Sequence, residues 1–87
     1  MSLPIESYTK PNWLPLETAM RGQNLPVETC GHWMWMSHGT DGAESYKHNL
    51  TRRYVWIDRA GNIYHGTGLQ IQGPAARQML ETGEVTA

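Results

Sequence analysis

Side chains able to do chemistry gather in one part of this chain: Lys47, His48, Arg52 and Arg53, with His65 further on. Cleavage of RNA without a metal needs a general base, a general acid and a cation on the phosphate, and these residue types supply all three. Their spacing works against them. On a regular strand neighbouring side chains point to opposite faces, so Arg52 and Arg53 serve one phosphate only where a bulge intervenes. The charge balance is also unhelpful, with seven Lys and Arg against eight Asp and Glu for a net −1. A polyanion binder draws its affinity from many phosphate-neutralising cations. Solvated flanks and rim ion pairs are the commoner use of such groups. His48, His65, Arg52 and Arg53 therefore stand as candidate catalytic residues of an alternative reading.

Cys30 and His32 could bind a metal. Two residues apart on a strand they point the same way, roughly 6–7 Å apart, which two ligands of one zinc tolerate. His38 lies six residues beyond His32, roughly 20 Å along a straight strand, and cannot join them. No CxxC, HExxH or paired Cys/His spacing is present. A buried thiol and a hydrogen-bonded imidazole are the expected situation, so no metal and no cofactor is assigned.

Aromatic residues offer a third chemistry, that of stacking and docking. The chain has four Trp, four Tyr and five Met but no Phe. Trp33, Trp35, Trp56 and Tyr64 on one sheet face would form a platform for bases or for a protein, flanked by Lys47 and Arg52. Gly66-Thr67-Gly68 neither follows a parallel strand nor opens a helix, so it is no phosphate cradle. Asp41 and Glu44 read as a solvated loop pair.

The elements that position these residues centre on the stretch from Arg53 to His65. Arg53-Tyr54-Val55-Trp56-Ile57 is β-branched and aromatic, and Asp58 to Asn62 fits a type I turn with Gly61 as the left-handed residue. The return strand then sets Ile57 opposite Ile63, Trp56 opposite Tyr64 and Val55 opposite His65. Further strands are expected over about 32–38 and 44–48, with the hairpin strands at about 52–58 and 62–66, giving a four-stranded antiparallel meander. Residues 69–72 form either an extended link or a fifth short strand. Pro15 and Gly22 bracket a short helix over about 15–21, and Pro74 and Gly83 a second over about 74–82. Residues 1–12 read as an extended arm.

The fold class is therefore α+β, one two-layer domain over 1–87. Helices on the aliphatic side would cover Met34, Met36, Val55, Ile57 and Ile63, leaving the four aromatic rings on the other side; the reverse assignment stays open. An uncovered patch of that kind exceeds what a monomer leaves wet, so either it is a dimer or partner surface or the N-terminal arm folds across it. A single cysteine suits a reducing compartment. No apolar run approaches the ~20 residues of a membrane span, and the N-terminus lacks the features of a signal peptide. A cytoplasmic location follows.

The leading functional expectation is a small non-enzymatic interaction module, of adaptor or inhibitor type, such as mobile elements carry. It binds a protein partner or itself, as a homodimer, through Trp33, Trp35, Trp56, Tyr64, Lys47 and Arg52. The alternative is a single-stranded nucleic-acid-binding or RNA-cutting protein using His48, Arg52, Arg53, Lys47 and His65.

Overall fold

The central hairpin forms in the expected register. In the computed structural model, which describes residues 10–85, Ile57 pairs with Ile63, Trp56 with Tyr64 and Val55 with His65. Gly61 takes φ +88°, and its N–H donates to the carbonyl of Asp58 at 3.0 Å. The Asp58 carboxylate then accepts from the backbone N–H of Ala60 and Asn62 and from the Asn62 amide. A turn so satisfied by its own side chain fixes the pairing on either side of it.

Around this hairpin the chain runs α1 (Leu14–Gly22), a 3-10 helix (Val27–His32), β1 (Trp33–His38), a short 3-10 turn (Thr40–Gly42), β2 (Glu44–His48), β3 (Tyr54–Ile57), β4 (Ile63–His65), β5 (Gln70–Ile71) and α2 (Gly73–Thr82). The strands form one antiparallel sheet in sequence order. It has five strands where four were expected, because residues 70–71 pair with β4. The extended arm expected over 1–12 falls mostly outside the described residues. Among the described residues no helix is long and apolar enough to cross a membrane.

Both helices are amphipathic and lie on one side of the sheet. α1 buries Leu16, Ala19 and Met20 at i, i+3 and i+4, and α2 buries Ala76, Met79 and Leu80 at the same spacing. Each carries Pro in its first turn, where the missing N–H would have no partner anyway. α2 ends as expected at Gly83, whose φ is +78° and whose N–H donates to the Met79 carbonyl. α1 does not end on a left-handed Gly22. Asn24 is the left-handed residue, at φ +59°, and the next N–H, from Leu25, reaches back to the Met20 carbonyl at 2.9 Å. The Arg77 guanidinium donates to the Gln23 carbonyl at 2.7 Å, tying the end of α1 to α2.

The side of the sheet under the helices presents Val55, Ile57, Ile63 and Ile71, all buried. Trp33 and Tyr46 are buried there too, and this corrects the expectation of an all-aromatic open face. Trp33 and Trp35 pair with His48 and Tyr46 on the helix side, while Met34 pairs with Lys47 on the opposite side. The reason lies in volume. The chain has no Phe, and Leu14, Leu50 and Leu69 are exposed, so the bulk of the core must come from indole, phenol and thioether groups. Each of these rings keeps its polar tip satisfied: the buried Trp33 Nε1 donates to the Leu80 carbonyl, the half-buried Trp35 Nε1 to Glu44 and the Tyr46 hydroxyl to the Asn12 carbonyl.

Candidate functional site

The outer face of the sheet is built from the alternate residues of the same strands. One row runs Met34, Lys47, Tyr54 and a second runs Ser37, Ser45, Trp56, Tyr64, Gln70. No helix among the described residues covers them. The Lys47 ammonium sits 5.3 Å from the centre of the Tyr54 ring, a cation–π contact that holds both side chains against the sheet. Tyr54 is 44% exposed. The loop after β1 approaches Trp56 so closely that a Cβ at Gly39 would lie 2.5 Å from its ring, which fixes the indole in place.

The Tyr64 hydroxyl donates to Asp58 Oδ2 at 3.3 Å. Burial acts to raise the Asp58 pKa, but the hydrogen bonds from Asn62, Ala60 and Tyr64 outweigh it and hold the carboxyl below its ordinary value. Desolvation and the neighbouring Asp58 raise the Tyr64 phenol. Asp58 thus stays ionised at one end of the face while Lys47 marks the other.

The basic and histidine residues do not form one constellation. The turn from β2 to β3 places Arg52 at φ +65°, outside the pleat, with its N–H donating to the His48 carbonyl. That single left-handed residue breaks the alternation that would have separated Arg52 from Arg53. Both then line a notch of about 410 Å³ together with Tyr54, His65, Gly66, Thr67 and Met79. Arg53 has a loose ion pair with Glu84 at 3.9 Å. Lys47 lies over the Tyr54 ring but does not itself line the notch, and His48 lines a different cavity with His32.

Cys30 and His32 belong to the 3-10 helix and not to a strand, so the i, i+2 geometry expected for them is absent. Burial, aided by Glu17, pushes the Cys30 thiol up, with Arg21 opposing. Among the described residues no group of three or more His, Cys, Asp or Glu side chains is placed to hold a metal ion.

One arrangement lay outside the sequence expectation. Glu44, read as a solvated loop carboxylate, is 3% exposed. Its Oε1 accepts from Trp35 Nε1 at 2.6 Å and lies 2.7 Å from His38 Nδ1. A β-bulge between Trp35 and Ser37 shifts the register of β1, and this brings His38 directly opposite Glu44. Nothing in the residue types signals a bulge at Met36.

Compared with known proteins, the chain has no match: no family model, no curated protein and no solved structure matches it.

Proposed function

We propose that this protein is a small non-enzymatic interaction module whose open sheet face docks against a second copy of itself. The observation that carries the proposal is the asymmetry of the sheet. Two helices cover one face, and Met34, Tyr54, Trp56 and Tyr64 line the other, a combination of Met and aromatic side chains typical of interface centres. Charge placement favours a second copy. Lys47 stands at one end of the face and the ionised Asp58 at the other. A twofold axis lying across the strands turns the partner end for end and sets each Lys47 against an Asp58. The surface differs from the expected one in composition, since Trp33 and Trp35 serve the core instead.

The test is Lys47→Glu, which sets like charges together at both ends of such a dimer. With the far-ultraviolet circular dichroism unchanged, the dimer should weaken by about tenfold or more, and most at low salt. Equal association of the variant and the parent removes the second copy as the occupant of this face.

A second reading rests on the notch. Arg52, Arg53 and His65 around one opening can hold a phosphate, with Tyr54 beside them to stack a base. Binding of a single-stranded oligonucleotide that weakens steeply with salt, and is lost in Arg52→Ala, would favour it. Cutting by His48 together with His65 has less support, because the two line separate cavities.

A further inference from the structure

Two loops meet at one end of the sheet, beside α2. The β2–β3 loop carries Arg52 and Arg53, and the β4–β5 loop carries Gly66 and Thr67. Between them lies the notch of about 410 Å³, whose lining also includes His65 and the buried Met79 of α2. Its volume falls in the range of small-molecule sites.

Both rims are fixed by their own hydrogen bonds. In the first, the Arg52 N–H donates to the His48 carbonyl and the His48 N–H to the Arg53 carbonyl. The Thr51 hydroxyl donates to the Gly83 carbonyl at 2.8 Å, which ties this loop to the end of α2. In the second, the His65 N–H donates to the Leu69 carbonyl and the Gly68 N–H to the His65 carbonyl. Ordered rims lower the entropic cost of holding a ligand.

Arg52 stands out on two grounds. Its φ of +65° lies in the left-handed region, where a Cβ crowds the backbone and glycine is the usual choice. It also has no carboxylate partner among the described residues. Arg53 has only Glu84, at 3.9 Å, and both of those side chains are more than half exposed. An exposed pair of that kind is weak and yields to a better anion. A strained arginine without a partner in its own chain is charge held ready for a ligand.

The other arginines do not extend this focus into a track. Arg21 is in the last turn of α1, Arg59 packs on Gly42, and Arg77 is tied to Gln23 and Glu81. A reader of internal phosphates needs cations along the path of the strand. Two guanidinium forks at one point suit instead a terminal phosphate, with its three free oxygens and about two negative charges.

We propose that the notch binds a phosphate monoester dianion, the group found at a phosphorylated end of a single strand or on a free mononucleotide. This specificity rests on the second reading above, in which the same opening holds a phosphate. Arg52 and Arg53 pair with the phosphate oxygens, and Arg53 exchanges Glu84 for them.

Isothermal titration at low salt compares three probes: thymidine monophosphate, a thymidine hexamer phosphorylated at one end, and the same hexamer with hydroxyl ends. The phosphorylated hexamer should bind at least about tenfold more tightly than the hydroxyl hexamer. A mononucleotide that matches it assigns the phosphate group alone as the ligand, and a weaker one assigns the strand end. In Arg52→Gly the advantage of the monoester should vanish, while the denaturation midpoint stays level or rises because glycine relieves the strained φ. Glu84→Gln should tighten the phosphorylated hexamer by about twofold or more. Equal binding of the two hexamers, lost together in Arg52→Gly, overturns the proposal and leaves single-strand binding standing. Monoester binding unchanged in Arg52→Gly overturns it as well. No binding of any probe overturns both the proposal and the reading beneath it.

Discussion

The indole of Trp33 donates to the carbonyl of Leu80 across 3.1 Å of space and 47 residues of sequence. It joins the first strand to the second helix at the point where Trp33 also meets His48. Trp33 is 3% exposed, so this bond and its packing are shielded from water.

Trp33→Ala should therefore cost about 3–5 kcal/mol, a large part of what a domain of this size holds in reserve. Trp33→Phe keeps most of the ring but leaves the Leu80 carbonyl without its donor, and should cost about 1–3 kcal/mol. Urea unfolding followed by circular dichroism measures both. A loss for Phe equal to that for Ala would mean that the hydrogen bond, and not volume, dominates.

Glu44 holds two donors at once, from Trp35 and His38. Glu44→Ala strands the Trp35 N–H in a half-buried setting and should destabilise by about 1–3 kcal/mol. Glu44→Gln retains a carbonyl acceptor and should lose less. The Trp35 emission should shift to longer wavelength in Ala and stay near the parent in Gln, as steady-state fluorescence will read.

His48 makes stability depend on pH in a defined direction. Its folded pKa lies below that of the unfolded chain, because burial and His32 oppose the charged ring. The unfolded state thus binds more protons on the acid side. The contribution is complete above the unfolded imidazole value of about 6.5 and is lost as pH falls through it toward the folded value. Denaturation midpoints between neutral pH and mildly acid pH should decline in the parent. The decline should be shallower in His48→Gln.

The sequence made some of this legible and concealed the rest. The β3–β4 pairing could be read to the residue because Asp58, Gly61 and Asn62 form a local turn whose chemistry is complete within five positions. The ends of α2 could be read for the same reason, from Pro74 and Gly83. Strand β1 could not. Its sidedness depends on a bulge near Met36 and on a core that has to be filled without Phe, and neither is a local property. The meeting of Arg52 and Arg53 in one notch turns on a left-handed conformation at Arg52, which an arginine side chain gives no reason to expect. Glu44 and the free nitrogen of His48 depended on pairing between strands and packing against α2, so only coordinates could show them.

The most direct measurement is sedimentation equilibrium of the parent and of Trp56→Ala over a wide concentration range, with Trp35→Phe as a control on the covered side. A docking face centred on Trp56 should give a reversible dimer whose dissociation constant rises about tenfold or more in Trp56→Ala and stays near the parent's in Trp35→Phe. A parent that is monomeric at every concentration, or a folded Trp56→Ala that dimerises as the parent does, would contradict it.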